Sequence, residues 1–185
     1  MKEVYMGSYI NGEIEIEEVV PVFDNKFITV FNDKVIFPGG NKGLYIRTSW
    51  KAPYGVMVAP ITKDGNLVLI KNFRHDSRAW GWELVKGFGI EGMTKEDCAN
   101  KELEEEIGIK SDKITELKSF TDQGIISTIF VAKKLKSGIE ERENEEAISE
   151  VKEFTKKEAK ELIFRDDCRD TPTLFVLSLF INDMI

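Results

Sequence analysis

Three features of the 185-residue chain predict an α+β fold or a helix–sheet–helix sandwich, behind an N-terminal antiparallel β-ribbon. Short strand-like runs crowd residues 1–50. Further strands and three helical stretches follow without the strict βα alternation of a doubly wound sheet. No repeat, low-complexity tract or linker interrupts the remainder. The length suits one domain on the usual prior of about 100–200 residues, so the expected organisation is a ribbon over 1–50 and a main domain over 51–185.

In the ribbon, Glu13 to Val20 alternates, Phe27–Phe31 and Val35–Phe37 flank an Asn32-Asp33 turn signal, and Pro38-Gly39-Gly40 ends the set. Gly55–Thr62 and Leu67–Phe73 flank Lys63-Asp64-Gly65-Asn66, where Asp-Gly suits the positive-φ positions of a tight turn, so a hairpin is expected. A glycine-rich loop runs from Gly87 to Gly92. Thr94 then caps a helix to about Ile107, with Asp97 at N3 and Gly108 as terminator. Strands are expected near Ile114–Thr121, Ile125–Ala132 and Ile148–Phe154, with an acidic loop, Glu140–Glu146, before the last. Thr155 caps Lys156–Phe164 in a capping-box pattern with Glu158, and Thr171-Pro172 opens an apolar helix to about Asp183.

Composition narrows the chemistry. Hydrophobic residues are 42% of the chain, enough for a core, and 33 acidic against 26 basic residues give a net charge of −7. That balance disfavours general binding to nucleic acid or to an anionic membrane. A phosphate substrate would need positive charge brought in locally. Cys98 and Cys168 form no CxxC motif and read as free thiols in a reducing cytoplasm. His75 is the only histidine, so a multi-histidine metal site is impossible and any metal must be oxygen-ligated. No signal peptide pattern opens the chain, and no apolar run approaches the roughly 18 residues of a membrane span.

The informative segment is Lys101-Glu102-Leu103-Glu104-Glu105-Glu106-Ile107-Gly108-Ile109. At about 100° per residue, Glu102, Glu105 and Glu106 fall within an arc of about 100°, Glu104 lies on the opposite side, and Leu103, Ile107 and Ala99 form the core stripe. Three carboxylates on one face repel one another. A solvated acidic face is one reading of that pattern; a hard divalent cation, magnesium or manganese, is the other.

The segment from Gly87 to Ile109 resembles the Nudix hydrolase signature: a glycine, five residues, a glutamate, seven residues, then Arg-Glu-apolar-any-Glu-Glu-any-Gly-apolar. Met93 replaces the loop glutamate and Lys101 the arginine, two residues that brace loop against helix in the family. The resemblance implies an α/β/α sandwich with a mixed central sheet, and a metal site made by Glu102, Glu105, Glu106 and the Gly87 carbonyl. Around it, Leu69-Ile70-Lys71-Asn72-Phe73-Arg74 and Trp82-Glu83-Leu84-Val85-Lys86-Gly87 are similar to the patterns of the ADP-ribose pyrophosphatase branch.

That likeness implies a magnesium- or manganese-dependent cleavage of the pyrophosphate in ADP-ribose or a related nucleotide sugar or dinucleotide. Glu105 and Glu106 serve the chemistry, and Glu145 or Glu146 in the acidic loop is the general base. On the same likeness Arg74 would grip the diphosphate by its bidentate fork and Glu83 would contact a ribose or a further metal; Lys86, beside Gly87, is read either as a phosphate contact or as an exposed lysine. The N-terminal ribbon is also similar to that of the branch, and this likeness implies a homodimer. The replacements at Met93 and Lys101 leave open a catalytically weak domain that senses nucleotides or binds a protein. Asn72, Val85, Lys86 and Gln123 depart from the branch pattern and bear on the substrate. Trp50, Trp80, Trp82, Tyr54 and Phe27 are read as core or base-stacking aromatics, and His75 as a surface residue.

Overall fold

The computed structural model describes residues 12–122, 124–139 and 147–185. They form two compact units, Met1–Pro53 with Thr121–Ile125, and Tyr54–Phe120 with Ile126–Ile185.

In the first unit, four antiparallel strands run in the order β1 (Glu15–Glu18), β3 (Ile28–Ile36) and β2 (Pro21–Asp24), with β4 (Lys42–Trp50) also paired to β3. The expected turn at Asn32-Asp33 does not form, and β3 runs straight through it. The reason is tertiary. Asp33 is buried, accepts the Val20 backbone N–H at 3.0 Å and pairs with Arg47 Nε, whose guanidinium lies 3.8 Å from the Phe31 ring centroid. A buried charge paired in this way overrides a local turn preference. The turn after β3 falls instead at 37–40, where the Gly40 N–H donates to the Phe37 carbonyl at 2.8 Å.

The second unit holds two sheets. One has the order β8 (Val85–Phe88), β5 (Gly55–Pro60), β10 (Ile125–Ser137), β9 (Ile109–Asp122); the other has β11 (Ile148–Phe154), β6 (Leu67–Arg74), β7 (Ala79–Glu83). β5 runs parallel to β10 and antiparallel to β8, so the sheet is mixed. Here the hairpin expectation is corrected. The Lys63–Asn66 turn forms, with Gly65 at φ 79° and a 2.9 Å bond from the Thr62 N–H to the Asn66 carbonyl. Its two strands nevertheless part into different sheets, joined only by the bridge Ile61 to Leu67. All six residues of β5 are buried, and it has a neighbour on each edge, which leaves no ladder for β6.

Alternation along the strands builds two cores. Met57, Ala59, Leu67, Leu69, Ile129 and Val131 face the last two helices, α2 (Lys156–Leu162) and α3 (Thr171–Ile181). Their neighbours Val56, Val58, Val68, Ile70, Phe130 and Ala132 face α1 (Lys95–Ile107). A period of two sends successive side chains to opposite faces, and the result is the expected α/β/α sandwich. No helix among the described residues is long and apolar enough to cross a membrane.

The helix ends follow from their caps. Thr94 Oγ1 accepts the Asp97 N–H at 3.1 Å, and Gly108 closes α1 at φ 65°. Asp170, one residue before the expected start, caps α3 by accepting the Thr173 N–H at 3.0 Å. At α2 the capping box is complete, and the Thr155 N–H and hydroxyl bonds, followed by Lys152, pull the Glu158 carboxyl down to about 2. A depressed carboxyl stabilises the fold above its ordinary range and loses that contribution as pH falls toward 2. The melting-temperature gap between wild type and Glu158→Gln is therefore expected to be widest above about pH 4.5 and to shrink on acidification; a pH-independent gap would contradict the capping role.

Candidate active site

α1 packs on the sheet through Cys98, Ala99, Leu103 and Ile107, all 8% exposed or less. That stripe fixes the rotation of the helix, and the carboxylates follow. Glu102 and Glu106 are also buried, and Glu105 is partly so. Glu104, as its angle requires, lies away from them and meets Lys110 at 2.8 Å, which lowers its carboxyl from the ordinary range.

Gly87 sits in β8 opposite Val56, directly beneath the helix. A Cβ at this position would lie 2.0 Å from Glu102 Cδ and 2.2 and 2.4 Å from its two carboxylate oxygens. Only glycine permits this approach. The sequence-predicted donors Gly87 and Glu102 are thus in contact, with Glu105 and Glu106 next on the same face of α1.

Among the described residues, no three acidic, histidine or cysteine side chains already form a closed metal-binding group. One reason is visible: Lys101, one turn before Glu105, holds its carboxylate in an ion pair. Both side chains are partly exposed, and pairs of this spacing contribute about 0.3–0.5 kcal/mol, less when the lysine precedes the glutamate. A divalent cation would readily displace it. The donors are all oxygen, two of the carboxylates are buried, and the Glu102 carboxylate lies directly on the Gly87 backbone. This set fits a hard divalent ion.

The substrate-side residues form a connected network. Arg74, at the end of β6, grips Glu83 at the end of β7 through Nε at 2.9 and 3.1 Å and Nη2 at 2.6 Å. Glu83 is buried and also meets Lys86 Nζ at 3.2 Å, while Lys86 reaches across to Asp170. Asp170 caps α3, and Thr173 Oγ1 accepts the Leu84 N–H at 3.0 Å. Burial works against the charge of Arg74, yet the bond and charge of Glu83, then the charges of Asp170 and Glu106, hold its guanidinium above the ordinary arginine value. The influence of Glu106 joins this network to the glutamate helix.

Sequence reasoning missed Asp170. The Asp-Thr-Pro-Thr run signals a helix cap, but its pairing with Lys86 spans 84 residues and has no local signature. Glu145 and Glu146 lie outside the described residues. Of the aromatic candidates, Trp82 is core, edge-on to Phe154 with ring centroids 4.8 Å apart, whereas Trp80 and Phe27 are exposed. His75 sits in a turn with Nδ1 2.8 Å from Arg78 Nη1. Cys98 and Cys168 are free and buried; burial, followed by neighbouring carboxylates, raises both thiols, Cys168 to about 11, so neither is a reactive nucleophile.

A glycine cradle under a three-glutamate helix, in a mixed α/β/α sandwich, defines a class. The NUDIX domain description matches residues 51–171, and the chain belongs to the Nudix family of pyrophosphohydrolases. Its relatives include the ADP-ribose pyrophosphatase of Bacillus subtilis (strain 168), 30% identical over 161 residues, covering 84% of this chain and 86% of the relative. The ADP compounds hydrolase NudE of Escherichia coli (strain K12) is 28% identical over 106 residues, 57% of this chain and 56% of the relative. A solved structure described as an ADP compounds hydrolase shares the fold, with a TM-score of 0.80 at 22% identity over 95% of this chain and 96% of that one.

Proposed function

We propose that the chain is a magnesium-dependent hydrolase that splits the pyrophosphate of ADP-ribose, or of a closely related nucleotide sugar or dinucleotide, into two monophosphates. The observation that carries this reading is the Glu102 carboxylate seated on Gly87, with Glu105 and Glu106 beside it on one helix face. The relatives named for ADP-ribose and ADP compounds support the substrate class.

Glu102, Glu105, Glu106 and the Gly87 carbonyl would hold the cation, magnesium or manganese. When bound, a divalent ion neutralises diphosphate charge and lowers the pKa of a bound water. The chain supplies the rest. Arg74 uses Nε and Nη2 on Glu83, which orients the guanidinium and leaves Nη1 as the nitrogen to take a phosphate oxygen. Lys86, balanced between Glu83 and Asp170, adds a second positive charge beside the Gly87 strand. Glu83 would also contact a ribose hydroxyl or a further metal. Glu145 or Glu146 would remove the proton from the attacking water. The ribbon of residues 1–50 would serve as a dimerisation and substrate element ahead of the hydrolase domain of residues 51–185. The homodimer would act in the cytoplasm, on small molecules and not on nucleic acid.

A panel of ADP-ribose, NADH, nucleotide sugars, diadenosine polyphosphates and coenzyme A, with phosphate monoester formation followed under magnesium, tests the reading. Fastest turnover is expected for ADP-ribose or a close relative. Binding across the panel without turnover would instead favour a catalytically weak, nucleotide-sensing domain. The observation on that side is the Lys101 ion pair, which occupies one of the three carboxylates.

A further inference from the structure

The loop from Gly87 to Met93 must be held still if the cradle under Glu102 is to keep its shape, and one side chain reaches most of it. Tyr54, immediately before β5, lies against the loop at three points. Its hydroxyl donates to the Met93 carbonyl at 2.7 Å, with a longer 3.5 Å contact to the Ile90 carbonyl. Its own carbonyl accepts the Gly89 N–H at 2.7 Å. Its ring fills the space at Gly89, where a Cβ would fall 2.4 Å from two ring carbons. Met93 directly precedes the Thr94 cap of α1, and the Met93 and Tyr54 side chains both pack on the core beneath that helix. On the other side of the loop, Cys98 Sγ donates to the Phe88 carbonyl at 3.5 Å.

We propose that Tyr54 is a positioning residue for the metal site: by tying both the middle and the end of the glycine loop to β5, it fixes Gly87 and the start of α1, and with them Glu102, Glu105 and Glu106. This rests on the metal-dependent reading above. The geometry favours tyrosine over a merely apolar residue, because ring and hydroxyl do separate tasks. The ring sets the distance between loop and strand. The hydroxyl takes the Met93 carbonyl, one residue before the Thr94 cap, which fixes where the helix starts.

Tyr54→Phe keeps the ring and removes only the hydroxyl. Its Mn2+ dissociation constant, measured by electron paramagnetic resonance without substrate, is expected to rise by about 10-fold or more, the range for outer-sphere supports. The magnesium concentration for half-maximal ADP-ribose turnover should rise in parallel, with the KM for ADP-ribose at saturating magnesium nearly unchanged. Gly89→Ala pushes on the ring from the loop side and should show the same weakened Mn2+ binding. A Tyr54→Phe protein that binds Mn2+ as tightly as wild type overturns the proposal, as does a wild type that binds no Mn2+. Mn2+ binding by a wild type that hydrolyses nothing would sink the hydrolase reading alone, and the comparison of Mn2+ affinities would still decide the role of Tyr54.

Discussion

Glu106→Gln is expected to lower magnesium-dependent turnover by about 10²-fold or more, at or beyond the upper end of what losing an outer-sphere support costs a metal site, while the fold survives. The substitution keeps shape and volume and removes one negative charge from a buried position 5% exposed. Two effects follow. Without metal, relief of carboxylate repulsion along α1 is set against the lost attraction to Arg74, so the melting temperature should change little. With magnesium, the stabilisation that binding gives the native state should largely disappear, because its size follows the ratio of metal concentration to dissociation constant. The pair of measurements separates a ligand from a structural glutamate. A variant that melts lower without metal and keeps its magnesium shift would contradict the assignment.

Gly87→Ala is expected to be equally severe for activity by a different route. The new methyl group would sit 2.0 Å from Glu102 Cδ, far inside van der Waals contact, and the strand carrying it is paired to β5 through Val56. β5 is buried on both faces and cannot retreat. The Glu102 side chain must therefore swing away, and the metal site loses a donor. Mn2+ affinity and magnesium activation should both fall by about 10²-fold. Overpacking should also destabilise the protein by about 1–3 kcal/mol. Wild-type metal affinity in Gly87→Ala would show that the Glu102 carboxylate at Gly87 has nothing to do with cation binding.

The parts of the fold that were legible in the sequence are those decided locally. α1 and α2 follow from Thr94 and Thr155, whose side chains bond within three residues, and from Gly108, whose positive φ ends the first helix. The face shared by Glu102, Glu105 and Glu106 follows from helical geometry once Leu103 and Ile107 are placed in the core. What could not be read is decided by distant partners. Lys63-Asp64-Gly65-Asn66 specifies a turn, but whether its flanking strands pair depends on which sheet edges β8, β10, β7 and β11 already occupy. Asn32-Asp33 looks like a turn until Arg47 and the Val20 N–H claim the carboxylate. β4, with Lys42, Arg47 and three exposed apolar residues in a row, lacks the alternation that marks a half-buried strand. The Lys86–Asp170 pair joins residues with no sequence relation, so the network that sets Arg74 and Glu83 emerges only in three dimensions.

The acidity of the chain takes on a specific meaning in this arrangement. Three of its 33 acidic residues crowd one helix face, and the cationic groups Arg74 and Lys86 are already engaged by Glu83 and Asp170. An anionic diphosphate therefore meets a site whose net charge is unfavourable until a divalent cation is bound. The most direct test is phosphorus NMR of ADP-ribose incubated with wild type and with Glu105→Gln at saturating magnesium, and with wild type in excess chelator. Conversion to two monophosphates by wild type with magnesium, and in neither of the other samples, is the predicted result; turnover in chelator, or undiminished turnover by Glu105→Gln, would contradict it.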